Sequence, residues 1–211
     1  MKALSLASTL LLSAHFALYS HAQDVSIIMK DLSTFANTTD GWKNLTATFS
    51  WPDNVAHVSR LPKGLSDIGK DLEERMPDLR KPHGTESPHP TKTSSHTRSF
   101  SDSDSFQLDH ALSHYVTSNL KLMRTIAEKS DDIIRSGHGR ETVDALQKLE
   151  PIAQNFAIAT IGLMSDNASN SADTIPSQIY DNFLLAIDAL NSTRQSEGTG
   201  DTPGEIIIIL G

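Results

Sequence analysis

Residues Thr142 to Met164 read TVDALQKLEPIAQNFAIATIGLM. In the first half Val143, Leu146, Leu149 and Ile152 recur every third residue, which places them on one apolar face of a helix. From Phe156 to Met164 the chain is apolar almost all round and dotted with alanine and glycine. Nine residues are far too few to cross a bilayer, which takes about 20. A helix that is apolar on every side is expected at the centre of a helical bundle, touched by every other helix.

The rest of the chain supplies the companions. Val25, Ile28, Leu32, Phe35, Trp42 and Leu45 keep helical spacing from about Asp24 to about Thr48, with Thr39 filling the gap. Gly41 weakens that helix, since an interior glycine costs roughly 1 kcal/mol, and Pro52 closes it. Leu61, Leu65, Ile68, Leu72 and Met76 repeat the spacing, but Pro62, Gly64 and Gly69 reduce it to a short, marginal helix over about 65–76. Arg80 to Ser105 is rich in Ser, Thr, Pro and His, with Phe100 its only large apolar residue. Such a stretch buries too little to offset its ordering entropy and is expected to be a disordered loop. Leu108, Leu112, Tyr115, Val116, Asn119, Leu120, Met123 and Ile126 then form a strong stripe, with Ser105 or Asp104 as its cap. Ser136-Gly137-His138-Gly139 breaks that helix, and Asp166-Asn167 with Asn170-Ser171 ends the next. Pro176 opens the last helix, striped by Ile179, Phe183, Ala186, Ile187 and Leu190.

No strand-type alternation occurs in these segments. The fold class is therefore all-α: an up-and-down helical bundle of four principal helices, with room for a fifth short one, and a long disordered insertion. Residues 23–51 carry the first bundle helix, 52–105 the insertion with its marginal helix, and 106–195 the remaining helices. Residues 196–211 form a flexible tail ending in Ile206 to Leu210, to which no function is assigned.

The N-terminus has a basic Lys2, a short apolar run from Ala3 to Leu12 and a small-residue exit at Ser20-His21-Ala22. That is the pattern of a cleavable secretory signal over 1–22, so the protein is expected outside the cell or in the cell wall. Cleavage leaves about 189 residues, enough for one domain with a real core. There is no cysteine, so packing alone must hold the fold. The formal charge of −8 falls by one more unit once Lys2 is removed, and no basic patch interrupts the acidity. Nucleic acid is therefore not an expected partner, and no transmembrane anchor is expected. Four N-glycosylation sequons, at Asn37, Asn44, Asn167 and Asn191, fit the secretory pattern.

Reactive chemistry is hard to find. There is no GxSxG elbow and no cysteine nucleophile. The Gly137-Gly139 cluster lacks the GKS/T ending of a phosphate loop. Neighbouring carboxylates such as Glu73-Glu74 and Asp131-Asp132 point in different directions on a helix. His110 and His114 stand four apart, a spacing that suits one metal, but no third ligand accompanies them. His83, His89 and His96 fall in the disordered loop. The residues indicate no enzyme, no cofactor and no metal.

The order of elements resembles the fungal hydrophobic surface-binding protein A and cell wall galactomannoprotein family. QDVSIIMKDLSTFANTTDGW is similar to that family's opening helix and LDHALSHYVTSNLKLMRTIAEKSDDII to its second. ETVDALQKLEPIAQNFAIATIGLM resembles the third, including a proline after a Leu-Glu pair, and IPSQIYDNFLLAIDALNS the closing one. The resemblance covers roughly Gln23 to Trp51 and Phe106 to Gln195. It departs over Pro52 to Ser105, where a much shorter connection is expected. It implies a secreted or wall-associated helical protein, in a family where some members adsorb to hydrophobic surfaces and others enclose fatty acids.

Two readings of the helix at Thr142 follow. The plainer one is a packed central helix. In the sharper one, Ala153, Ala157, Ala159 and Gly162 leave room for an acyl chain between helices, held mainly by burial at about 0.8 kcal/mol per methylene. The lining would then be Phe35 from the first helix with Leu112, Val116, Leu120 and Met123 from the second. Ile152, Phe156, Thr160 and Leu163 would join from the third, and Phe183 and Ile187 from the last. Thr160 or Tyr115 would meet the head group. The expected function is non-enzymatic binding of lipids such as fatty acids, or of hydrophobic surfaces, with cell-wall polysaccharide as a further partner. The alternative is a structural wall or matrix glycoprotein with no small-molecule ligand.

Overall fold

The computed structural model describes the backbone of residues 3–80 and 100–198, and the side chains of 25–76, 100–169 and 172–192. Most of the expected loop (81–99) and the end of the tail (199–211) lie outside the described residues, as do His83, His89 and His96. Among the described residues there are eight α-helices and no strand.

Helix α1 spans Ala3–Ala47, so its backbone is helical on both sides of the expected cleavage point. Gly41 sits inside it with open space around it and does not interrupt it. Thr39 keeps the apolar stripe in phase: it is buried, and its hydroxyl donates to Phe35 O at 2.8 Å. A single turn, α2 (Val55–Val58), leads into α3 (Leu61–Arg80). Then come α4 (Asp102–Glu128), the short α5 (Ser130–Arg135), α6 (Gly139–Ile161), the short α7 (Asp166–Ala172) and α8 (Ile175–Gly198).

Five helices form the walls. Helix α1 packs on α4, α4 on α8, α8 on α6 and α6 on α3, and a lighter contact of α3 with α1 closes the ring. Hydrogen bonds fix the directions. Lys129 Nζ donates to Phe49 O at 2.8 Å and Trp51 N to Asp132 Oδ1 at 3.0 Å, so α1 and α4 end at one pole. At the opposite pole Phe100 N donates to Leu163 O at 2.9 Å and Ser165 N to Ser105 Oγ at 2.9 Å, tying the start of α4 to the end of α6. Successive wall helices alternate in direction, as an up-and-down bundle requires, yet α1 lies beside α4 and α3 beside α6, with one helix skipped each time.

The structure corrects three expectations. First, the marginal helix over 65–76 is the full-length wall helix α3, and Leu61, Leu65 and Leu72 are completely buried in the common core. The segment 52–105 is therefore not merely an insertion between bundle helices. Pro62 is harmless because it stands in the first turn, where its missing N–H has no intrahelical partner to lose. Gly64 is there for close approach: a Cβ at this position would fall on the indole ring of Trp42. Second, order resumes before Phe106. Phe100 is buried, and α4 starts at Asp102 with Ser101 as its cap, its hydroxyl accepting from Asp104 N at 3.2 Å.

Third, α6 is one wall of the ring rather than a central rod. It packs chiefly on α3 and α8, and α4 has more neighbours than it does. Pro151, Asn155, Ile158 and Gly162 share its outer face, and Ile158 is 53% exposed. The inward face holds Leu149, Ala153, Phe156, Ala157 and Thr160, all buried.

The Trp42–Gly64 contact provides a test of how α3 docks. Alanine gains roughly 1 kcal/mol over glycine inside a helix, but here the added methyl must displace a rigid indole. Gly64→Ala is expected to destabilise the protein by about 1–3 kcal/mol, the usual cost of overpacking. Trp42 fluorescence should change with it, read in a Trp51→Phe background. A gain in stability with unchanged emission would place Trp42 elsewhere.

Candidate functional site

Three wall helices each place one ring at the middle of the bundle. Helix α1 brings Phe35, α4 brings Tyr115 and α6 brings Phe156. The centroids of Phe35 and Phe156 are 5.4 Å apart at 89°, and Tyr115 stands 6.4 Å from each, at 62° and 71°. All three contacts are edge-to-face, the arrangement that ring quadrupoles favour, each worth about 0.5–1.5 kcal/mol beyond burial. Ala36, Ala153 and Ala157, all fully buried, are the small side chains of the same two helices α1 and α6.

This interior has a polar exception. Tyr115 is fully buried and its hydroxyl has no hydrogen-bond partner; the same holds for Asn119 Oδ1 one turn further along α4 and for Ser118 Oγ. Burial pushes the Tyr115 phenol well above its ordinary value, and the nearby Asn119 amide pulls it back only partly, so the hydroxyl stays protonated. Asn119 is thus close enough to act on Tyr115 electrostatically, although the pair does not reach hydrogen-bond geometry. A buried polar atom without a partner costs about 1–3 kcal/mol. Native interiors tolerate few of them.

The residues expected to line a cavity separate into an interior group and two seams. Phe35 and Phe156 touch at the centre, and Leu112, Met123 and Phe183 are fully buried in the same core. Val116 and Leu120 instead line a pocket of about 290 Å³ between α4 and α8, with Ile175, Gln178 and Asn182 opposite. Ile152 lines a groove of about 610 Å³ between α3 and α6, with Leu65, Gly69 and Leu149. Leu163 lies just past α6 at the capped pole, and Ile187 is half-buried against the core. Of the two hydroxyls expected to meet a head group, Thr160 is committed to its own helix, donating to Phe156 O at 2.9 Å. Tyr115 is not.

Asn119 was legible as part of the α4 stripe but not as a functional group; a polar residue at a core position of a regular stripe was the available signal. His110 and His114 are both exposed, and no three His, Cys, Asp or Glu side chains gather into a metal-binding group among the described residues. No helix among them is long and apolar enough to cross a membrane.

No family model matches the sequence, and no curated protein matches it. Solved structures do share the fold. The crystal structure of Afmp4p in complex with palmitic acid superposes with a TM-score of 0.65 at 15% sequence identity, over 79% of this chain and 99% of that one. Ligand binding domain 1 of the Penicillium marneffei MP1 protein, complexed with arachidonic acids, gives a TM-score of 0.64 at 16% identity, over 79% of this chain and 98% of its own. The chain therefore has the helical fold in which these two proteins were seen holding fatty acids.

Proposed function

We propose that this protein is a secreted, non-enzymatic lipid-binding protein that takes an acyl chain into the bundle interior between α1, α4 and α6. The observation that carries this reading is the unpartnered Tyr115 hydroxyl and Asn119 oxygen inside an otherwise apolar core. These atoms are costly in the free protein and become satisfied when a lipid head group meets them. The chain itself needs only apolar surroundings, at about 0.8 kcal/mol per buried methylene. Phe35 and Phe156, whose rings meet at the centre, are the side chains that must move to admit it. The fold shared with the palmitate- and arachidonate-bound structures supports a fatty-acid-class ligand.

Secretion and glycosylation belong to the same proposal. All four sequon asparagines are exposed, and Asn37 and Asn44 stand two turns apart on one face of α1. Asn167 Nδ2 donates to Asp102 Oδ2 at 3.3 Å, an exposed bond that a glycan would replace. Adsorption to hydrophobic surfaces draws support from exposed Tyr180 and Leu184, one turn apart on α8, beside exposed Leu185.

The test is lipid content. Organic extraction of the purified protein, followed by analysis of the extract, is expected to return fatty acids, and lipid-stripped protein is expected to take up added palmitate. Tyr115→Phe should raise the stability of the stripped protein by about 1–3 kcal/mol, because it removes an unsatisfied buried hydroxyl. The same change should weaken palmitate binding roughly two- to tenfold, the worth of one hydrogen bond. Folded protein that neither carries nor takes up lipid would remove the proposal.

A further inference from the structure

We propose that the lipid head group is taken up uncharged, as a protonated carboxylic acid or an alcohol, rather than as a carboxylate. This rests on the interior site above and specifies the chemistry of its ligand.

A buried carboxylate needs a cation or several converging donors. Among the described residues the core supplies no cation, and its unpartnered groups include an acceptor, Asn119 Oδ1, that an anion leaves unanswered. Among the described residues no Lys, Arg, His, Asp or Glu is buried; the buried polar side chains other than Tyr115 are all Ser, Thr or Asn. The hydroxyls of Thr39, Thr46, Thr125, Thr142 and Thr160 each donate to the carbonyl four residues back on their own helix. The nearest titratable residues along each wall helix are half-buried or exposed. They are half-buried Asp31 and Asp40 on α1, half-buried Asp109 with exposed His114 and Lys121 on α4, half-buried Glu150 on α6, and exposed Asp181 on α8. On α3, Lys70 and Asp71 are exposed, and exposed Arg75 pairs with Asp31 at 3.8 Å. The acids outnumber the bases here, which disfavours an incoming anion further.

What remains at the site is one matched pair. The Tyr115 hydroxyl, which burial keeps protonated, offers a donor, and Asn119 Oδ1 offers an acceptor one turn away. Ser118 Oγ, which rotates to serve either role, stands next to them in sequence. A carboxylic acid presents a carbonyl acceptor and an O–H donor, which answers both groups. An alcohol does the same through its single oxygen. A carboxylate presents acceptors alone and leaves Asn119 Oδ1 without a donor.

Binding then takes a proton up with the fatty acid. The pKa of the bound acid is raised above that of the free acid, so affinity is fully present below the free value and falls as pH rises above it. The decline is about tenfold per pH unit until the bound pKa is reached.

The experiment uses the full chain, lipid-stripped, with palmitic acid labelled with carbon-13 at its carboxyl carbon and with hexadecanol as competitor, from pH 5 to pH 9. The bound carboxyl resonance is expected to stay at the protonated position while the free acid titrates. Palmitate affinity should drop about tenfold per unit of rising pH and hexadecanol affinity should not change. A bound resonance at the carboxylate position at neutral pH, or palmitate outcompeting hexadecanol throughout, would overturn the uncharged head group while leaving lipid binding intact. Absence of binding by either ligand to folded protein would overturn both readings at once.

Discussion

Phe156→Asp is expected to leave the protein without a cooperative thermal transition. Phe156 is completely buried and meets Phe35 and Tyr115 edge to face. Loss of the ring alone costs about 3–5 kcal/mol, as in other aromatic truncations in cores. A carboxylate there has no buried partner among the described residues, and the alternative, protonating it, leaves a polar group among aromatic rings. The combined penalty is comparable to the whole stability of a domain this size, about 5–15 kcal/mol. Melting followed by near- and far-ultraviolet circular dichroism checks it. A sharp transition within a few degrees of the parent protein would show that Phe156 does not sit at the meeting point of α1, α4 and α6.

Leu72→Asp should be nearly as damaging, and it separates the observed fold from the simpler sequence expectation. If residues 52–105 were an appended insertion, a polar change there would stay within about 0.5 kcal/mol of neutral. Leu72 is instead fully buried on α3, the helix that lies along α6. Removing a buried leucine costs about 2–5 kcal/mol before the buried charge is counted. The denaturant midpoint is expected to fall steeply or the folded baseline to vanish. A midpoint equal to that of the parent would detach α3 from the core.

The difference between those two expectations shows which information is local. The stripes of α4 and α8 are long, regular and free of breakers, so spacing alone places them. Helix α3 carries the same spacing, but Pro62, Gly64 and Gly69 argue against it one residue at a time. Their reasons lie in other segments: Gly64 gives way to Trp42, and a Cβ added at Gly69 would come within 3.4 Å of the Leu149 and Ile152 side chains. Nothing within 65–76 reveals those partners. The short helices α5 and α7, of six and seven residues, are too brief to show a period.

Helix α6 illustrates the opposite error. Its second half is so apolar that composition suggested burial on all sides, although phase already told otherwise. Pro151 and Asn155 mark an outer face, and Ile158 and Gly162 follow on it at helical spacing. The site was legible to a similar extent. Tyr115 is one of two hydroxyls that chemistry allows, and the fold engages the other, Thr160, with Phe156 O. That the Tyr115 hydroxyl and Asn119 Oδ1 lack partners depends on what the neighbouring helices fail to offer, which no single segment records.

The order of the walls has a kinetic side. Helix α1 finds its main partner in α4 and α3 finds its main partner in α6, each after another wall helix has intervened in the sequence. Few early hairpins are available to nucleate the fold, and loop closure must precede most of the stabilising contacts. During synthesis α3 emerges long before the helix that covers Leu65 and Leu72. The leucine face of α3 therefore lacks its main partner until α6 has been synthesised.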